Sequence, residues 1–252
     1  MTVTAVRQLM GLPISLDLRD GTEDDAERVF AWLHEVDLRF SPFRMDSEVT
    51  RYDEGRIGDD EISDDLRHVL ELCRTYESQS GGAFKAKLPG RGLDPNAVVK
   101  GWAVQRAAGM LRAAGVTRFC INAGGDVVTA GEPADGEPWR VGIRHPGDSH
   151  EVCAVVAVRD GAVATSAAYE RGNHIIDGRT GMPAFGLLSM TVFAFDLATA
   201  DATATAAFAM GVDGVEWAVE QPGCLVHAVD SNYRVFRSPQ LPVLTQGTRA
   251  PH

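Results

Sequence analysis

The stretch Phe119-Cys-Ile-Asn-Ala-Gly-Gly-Asp-Val-Val-Thr-Ala130 contains two short apolar runs separated by a pair of glycines. Such runs predict a β-hairpin, because paired glycines supply the positive φ that a tight turn needs. Glycines in a turn also let backbone N–H groups come close to a ligand. Residues 122–126 are therefore a turn or a ligand-binding loop, and the stretch alone favours neither.

The chain after this hairpin is dominated by short apolar runs between turn residues, a pattern typical of strands. The predicted strands are residues 139–143, 152–158, 163–166, 174–177 and 189–195. An Ala- and Thr-rich stretch predicts a helix over 200–210, and a shorter helix is predicted over 215–220. Residues 224–229 and 233–237 predict a final hairpin across Ser231-Asn232.

The chain before the first hairpin is mostly helical. Strict alternation over 12–19 predicts one strand, and Thr22 is a candidate N-cap for a helix that follows. We then expect irregular structure over 39–60, a helix from Ser63, a loop over 78–95 and a helix over 98–114 that Gly115 ends. Helices and strands thus come in blocks, which predicts an α+β fold. No linker or repeat divides the chain, so we expect one domain over 1–252.

The composition is that of an ordinary globular protein, with 252 residues, 44% of them hydrophobic, and a net charge of 24 − 35 = −11. An acidic surface repels a phosphate backbone, so no nucleic-acid partner is expected. An anionic ligand would need local cations or a metal ion. No apolar run is long enough to span a membrane, no signal peptide is evident, and the four cysteines are widely spread. We therefore expect a cytoplasmic protein.

Asp201 and Thr205 are spaced to share one face of the predicted helix, because residues i and i+4 are neighbours there. A carboxylate and a hydroxyl pointing at one spot suit Mg²⁺, which takes one or two protein carboxylates and leaves other positions to water and phosphate. A capping Asp with a packed Thr is the plainer alternative, and the pair in isolation favours it.

Polar side chains crowd the region after the predicted strand 163–166. They are Ser166, Tyr169, Arg171, His174, Asp177 and Arg179. A polar turn would explain only the last part, whereas a histidine among hydroxyls, a carboxylate and two arginines is typical of phosphate chemistry. In the loop 39–51, Phe43 between arginines is a candidate for stacking on a planar heterocycle, or is the anchor of an ordinary surface loop.

Taken in this order, the motifs resemble the FAD:protein FMN transferase family, the ApbE-like flavin transferases. The similarity runs from about residue 11 to 241. The matching motifs are residues 41–47, 100–104 (Lys-Gly-Trp-Ala-Val), 122–126 (Asn-Ala-Gly-Gly-Asp), 138–143, 164–177, 200–205 and 237–239. The resemblance implies an ApbE-like fold, with mixed sheets and flanking helices in two fused subdomains.

The family joins the FMN half of FAD to a Thr or Ser hydroxyl of a target protein, with Mg²⁺, and releases AMP. By resemblance, the metal ligands are Asp201, Thr205 and a backbone carbonyl near Val99, and the catalytic residues are Asp201 and His174, the candidate base. Phe43 would stack on the isoalloxazine ring. The residues expected to contact FAD are Ser41, Phe43, Lys100, Asn122, Ala123, Gly124, Gly125, Asp126, Ser166, Tyr169, Arg171, His174 and Asp177.

This chain also departs from the family pattern. Lys85 follows Phe84 where many members have Asp, Ala167 replaces a glycine, and Gly178 replaces a proline. The segment between Tyr169 and His174 is shorter than in the long members. Two alternatives stay open: a Mg²⁺-dependent FAD diphosphatase, in which water replaces the acceptor hydroxyl, and a non-catalytic protein that binds or delivers FAD.

Overall fold

The computed structural model of the chain describes residues 2–168 and 175–246. Its strands are β1 Val3–Leu9, β2 Leu12–Leu18, β3 Phe119–Ala123, β4 Asp126–Ala130, β5 Trp139–His145, β6 Asp148–Val158, β7 Gly161–Ala167, β8 Ile176–Asp177, β9 Met182–Pro183, β10 Leu187–Ala194, β11 Leu225–Asp230, β12 Val235–Arg237 and β13 Val243–Gln246. Its helices are α1 Glu23–Phe40, α2 Glu48–Asp53, α3 Asp64–Gln79, α4 Asn96–Ala113, α5 Leu197–Met210 and α6 Asp213–Glu220.

The strands form one large sheet and two small ones. The large sheet has eight strands in the order β1-β2-β3-β4-β7-β10-β11-β12, and neighbouring strands are antiparallel. A three-stranded sheet has the order β13-β6-β5, and β8 pairs with β9. The α+β prediction is confirmed. The division into two fused subdomains and the single domain over 1–252 stay predictions.

The large sheet has two buried faces with different partners. On the helix face, Ala162 and Ala164 of β7 belong to the same core as the buried residues of α1, α4 and α5. On the opposite face, Val163 packs with residues of the three-stranded sheet, such as Val156. Since side chains alternate along a strand, neighbouring residues of β7 point toward different partners.

The register brings several turns to one end of the large sheet. The tight turn between β3 and β4 is closed by the pair Ala123↔Asp126, and the last residue of β7, Ala167, pairs with Ser189 near the start of β10. Asp126 lies beside the carboxyl-terminal half of β7, because its carboxylate accepts from the Thr165 N–H. This end of the sheet, which we call the site end, collects the polar residues that the sequence singles out.

Helices α4 and α5 cross in very close contact above the helix face. A Cβ at Gly101 would lie 2.6 Å from the carbonyl oxygen of Leu197 and 2.7 Å from the Cβ of Asp201. Only glycine fits there without displacing a backbone. Helix α5 is rich in alanine and buried nearly all round, so its backbone can approach both α4 and the sheet.

Most of the predicted elements are confirmed, and the exceptions are informative. Structure over 39–60 is not irregular throughout, because Ser47 caps the short helix α2. Strands β1 and β13 were not predicted. Of the predicted strand 174–177, only Ile176–Asp177 is assigned, and His174 is outside the described residues. None of the helices in the described ranges has the length and apolarity that a membrane crossing requires.

Candidate active site

Asp201 lies at the crossing of α4 and α5, with its carboxylate buried. Its Oδ2 accepts a hydrogen bond from the Gly101 N–H at 2.9 Å, and its Oδ1 is 3.4 Å from Lys100 Nζ. In a regular helix the Gly101 N–H would donate to the carbonyl of Ala97, one turn earlier. Asp201 therefore competes for this donor with the Ala97 carbonyl in the first turn of α4.

Asp126, from the turn between β3 and β4, brings a second buried carboxylate to the same lysine. Lys100 Nζ forms an ion pair with Asp126 Oδ2, an atom that accepts no hydrogen bond of regular geometry, while Asp126 Oδ1 accepts from the Thr165 N–H at 3.0 Å. The pKa of Asp201 is raised, first by burial and also by the neighbouring carboxylate of Asp126. The ammonium of Lys100 offsets only part of this rise. Among the described residues, one ammonium thus serves two buried carboxylates.

Thr205 completes this group from the next turn of α5. Its Oγ1 lies 3.1 Å from Ser166 Oγ, which comes from the helix face of β7. Asp201 is not a capping residue, because Asp196 caps α5 by accepting from the Thr199 N–H. The plainer alternative for the Asp201 and Thr205 pair is therefore wrong as far as the cap is concerned.

The donors at this crossing fit a divalent cation of the hard, oxygen-binding kind. Asp201 and Thr205 offer a carboxylate and a hydroxyl, and the neighbouring carboxylate of Asp126 adds to the negative potential. Within residues 2–168 and 175–246, no group of three or more His, Cys, Asp or Glu side chains is arranged to hold a metal ion. A cation here would need backbone and ligand oxygens as well.

Val99, the expected carbonyl ligand, is buried in α4 next to Lys100, and its N–H donates to Pro95. Within residues 2–168 and 175–246, its carbonyl accepts no hydrogen bond from the Thr205 hydroxyl. The signal that sequence reasoning overlooked is Gly101, whose missing side chain lets Asp201 reach the α4 backbone.

The glycine turn of residues 122–126 is held by the protein itself. Gly124 and Gly125 have φ values of 63° and 107°, as the turn requires. The Gly125 N–H donates to Asn122 Oδ1 at 2.8 Å, and the Gly124 N–H donates to the Pro13 carbonyl at 3.0 Å. Both glycine N–H groups thus bind acceptors within the protein. A ligand can come close to the backbone of this turn and to the Asp126 carboxylate, but these two N–H groups are not available to bind it.

Asp177, at the end of β8, is engaged with its neighbour Arg179. The backbone N–H and the guanidinium of Arg179 both donate to its carboxylate, and the side-chain hydrogen bonds hold the pKa of Asp177 below its usual value. In the described residues, no hydrogen bond or ion pair links its side chain to Lys100 or Asp201. The structure therefore does not bring Asp177 into the group around Asp201.

Two departures from the family pattern, Lys85 and Gly178, are in contact with each other. A Cβ at Gly178 would lie 2.6 Å from Lys85 Cγ and 2.6 Å from the carbonyl oxygen of Gly82. The Gly178 N–H donates to the Ala83 carbonyl at 2.8 Å, a bond that proline cannot form. The lysine stem occupies the space that a side chain at 178 would need, so Lys85 and Gly178 fit each other sterically.

Phe43 lies on the surface, with 88% of the residue exposed, in the loop between α1 and α2. Its N–H donates to Ser41 Oγ at 3.3 Å, so Ser41 shapes the loop. The loop starts at a fixed point, because Phe40 packs on Trp102 of α4 with ring centroids 5.3 Å apart. The ring is available to a planar ligand.

Three expected site residues, Tyr169, Arg171 and His174, lie outside the described residues.

Comparisons with known proteins agree with this arrangement. A family model described as the ApbE family matches residues 10–89 and 85–227. The FAD:protein FMN transferase of Klebsiella pneumoniae (strain 342) is 29% identical over 68% of this chain and 53% of its own length, and that of Escherichia coli (strain K12) is 30% identical over 69% and 52%. The chain spans about half the length of the curated relatives it matches.

Solved structures show the same fold. The ApbE protein from Thermotoga maritima superimposes with a TM-score of 0.82 at 22% identity, covering 95% of this chain and 97% of that one. The flavin transferase ApbE from Vibrio cholerae gives a TM-score of 0.81 at 22% identity, with the same coverage. These matches establish that the sheets and helices described above follow the arrangement seen in those proteins.

Proposed function

The chain belongs to the ApbE family, and we propose that it transfers the FMN half of FAD to a Thr or Ser hydroxyl of a target protein and releases AMP. The observation that carries this proposal is the crossing of α4 and α5, where the buried carboxylates of Asp126 and Asp201 share the ammonium of Lys100. Such a site suits a cation and a diphosphate together. The names of the curated relatives supply the flavin chemistry.

In the proposed reaction, the acceptor oxygen attacks the phosphorus of the FMN half. A new phosphoester bond forms, the bond from that phosphorus to the bridging oxygen of the diphosphate breaks, and AMP leaves with the bridging oxygen. The acceptor hydroxyl loses its proton to a base. We assign this role to His174 by residue type and by resemblance, since an unperturbed histidine titrates near neutral pH.

We propose that Asp201 and Thr205 hold Mg²⁺, with a third oxygen from the first turn of α4. The carbonyl of Val99 is the expected one, and that of Ala97 is its rival, because Asp201 engages the Gly101 N–H that would normally bind Ala97. When bound, the cation neutralises charge on the diphosphate as the bridge breaks. The two buried carboxylates that share the ammonium of Lys100 support this assignment.

Lys100 has two tasks in this proposal. Its ammonium holds Asp126 and Asp201 in place, and with a quarter of its side chain exposed it also faces the diphosphate. The flavin would stack on Phe43. The remaining FAD contacts fall to Ser41 and to residues 122–126. Tyr169, Arg171 and Asp177 are proposed contacts by resemblance only.

The test is to incubate the chain with FAD and Mg²⁺ in an extract of its source organism from which its own gene has been deleted. We expect a protein band that stays fluorescent in a denaturing gel and gains the mass of FMN less one water at a Thr or Ser. AMP release should depend on that protein once it is purified. Equal AMP release without it would instead identify a diphosphatase, and uncleaved FAD would identify a binding or delivery protein.

A further inference from the structure

The contact between Ser166 and Thr205 joins the large sheet to α5 at the proposed cation site. Their hydroxyl oxygens are 3.1 Å apart, within hydrogen-bond distance. Ser166 is buried on the helix face of β7, and Thr205 follows Asp201 by four residues on α5. Among the described residues, Ser166 is the one whose side chain makes a polar contact with the Thr205 hydroxyl.

A threonine inside a helix has another place for its hydroxyl. It can rotate to bind the carbonyl three or four residues earlier in its own helix. This chain contains an example, since Thr75 Oγ1 donates to the Glu71 carbonyl at 2.9 Å in α3. The equivalent acceptor for Thr205 is the Asp201 carbonyl, yet the hydroxyl contacts Ser166 instead. Ser166 thus competes with the helix backbone for this hydroxyl.

We infer that Ser166 is a positioning residue, which holds Thr205 Oγ1 away from its own helix and turned toward the cation. A hydroxyl has one proton and two acceptor lone pairs. If Thr205 donates its proton to Ser166 Oγ, a lone pair of Thr205 is left for the cation beside Asp201. This inference rests on the proposed metal role of Asp201 and Thr205, and it gives Ser166 a task other than lining the nucleotide.

The neighbouring residue on β7 offers a matched control. Thr165 points to the opposite face, where its Oγ1 lies 2.8 Å from Thr191 Oγ1 of β10. Thr191→Val therefore removes a buried hydroxyl pair of the same kind on the far side of the same sheet. It touches none of Lys100, Asp201 or Thr205.

The experiment titrates the full chain with Mn²⁺ in the presence of AMP and follows the EPR signal of free Mn²⁺. Orienting partners of metal ligands typically change metal affinity by about 10–100-fold. We expect Ser166→Ala to weaken Mn²⁺ binding by that factor and Thr191→Val to leave it unchanged, with circular dichroism showing that both variants are folded. Ser166→Ala should add nothing in a Thr205→Ala background, because both changes remove the same contact.

FAD binding in EDTA, measured by flavin fluorescence, separates this role from a direct nucleotide contact. The positioning role predicts the same FAD affinity for Ser166→Ala and the unsubstituted chain. Lost FAD affinity with intact Mn²⁺ binding would overturn the inference, and so would equal Mn²⁺ losses in Ser166→Ala and Thr191→Val. An unsubstituted chain that binds no Mn²⁺ would refute the metal role itself, whereas Mn²⁺ binding without FMN transfer would refute only the proposed transfer.

Discussion

Ser166 and Thr165 are neighbours on β7, but their hydroxyls have different surroundings. Ser166 points to the helix face and contacts Thr205, beside two carboxylates and a lysine. Thr165 points to the other face and contacts Thr191, whose cross-strand neighbour His227 is buried without a partner for its Nδ1 among the described residues. The same hydroxyl pairing thus lies beside two carboxylates and a lysine on one face and beside a buried histidine on the other. The face, not the residue type, decides what each pair can do.

The largest expected effect is on the helix face, with Asp201→Asn. The amide keeps the size of the side chain but removes the charge that would hold Mg²⁺, so Mg²⁺-dependent FAD cleavage should fall at least about 1,000-fold, or about 4 kcal/mol. AMP release measures this directly. FAD binding in EDTA should largely survive, since stacking and nucleotide contacts lie elsewhere.

Asp196→Asn is the control for that change, because asparagine caps a helix as well as aspartate and Asp196 is on the same helix. Cleavage should stay near the unsubstituted rate. Persistent cleavage in Asp201→Asn would show that the metal ligands are elsewhere and would remove the distinction between the two faces.

Gly101→Ala should have the next largest effect, which is a loss of stability. Its Cβ would lie 2.6 Å from a backbone oxygen of α5, so one helix must move. Overpacking of this kind costs about 2–3 kcal/mol, equivalent to a fall in Tm of about 5–10 °C. Gly109→Ala in the same helix meets nothing within 4 Å and should stabilise the protein by about 0.5–1 kcal/mol. Equal Tm values for the two variants would mean that the crossing is looser than described.

The opposite face should make the free energy of unfolding depend on pH in the acid range. Burial, together with the charge of Arg237 on the adjacent strand, lowers the pKa of His227 from 6.5 to about 4. Between pH 6.5 and pH 4, the His227 imidazole is protonated in the unfolded chain but neutral in the folded chain. The free energy of unfolding therefore falls as pH falls. The total is on the order of 2–3 kcal/mol, present in full above pH 6.5 and lost toward pH 4.

Urea unfolding at several pH values measures this slope. His227→Gln should flatten it between pH 6.5 and 4, because glutamine does not titrate. His34→Gln, which changes an exposed histidine of α1, should leave it as it is. A slope that survives in His227→Gln would place the acid sensitivity outside this face.

The smallest effect is expected away from both faces, at Phe43. Removing the ring with Phe43→Ala should weaken FAD binding about 5–10-fold, since aromatic stacking contributes about 1–1.5 kcal/mol. The Tm should not change, because the residue is 88% exposed. Phe195→Ala, equally exposed at 82% but following β10 at the end opposite the site, should alter neither quantity. Fluorescence titration of both variants in EDTA decides whether the flavin uses this loop.

Local patterns determined most of the elements and one part of the site. Alternation defined β2, a capping residue and helical spacing defined α1, and the i, i+4 relation joined Asp201 to Thr205, because these signals involve residues a few positions apart. Strand β1 was not predicted, because an edge strand with mostly exposed residues has little apolar alternation. Helix α2 was not predicted, because its six residues bury only Val49.

Only the tertiary structure decided how the site is assembled. Lys100, Asp126 and Asp201 come from three elements far apart in the chain and meet because strand register and the α4–α5 crossing bring them together. The crossing in turn depends on Gly101, whose role is a through-space contact with Leu197. Likewise, the sequence shows only that Ser166 is a polar residue in a predicted strand. The pairing of β7 in the sheet decides that its side chain faces Thr205. The sequence specifies the groups, and packing between distant segments specifies which of them touch.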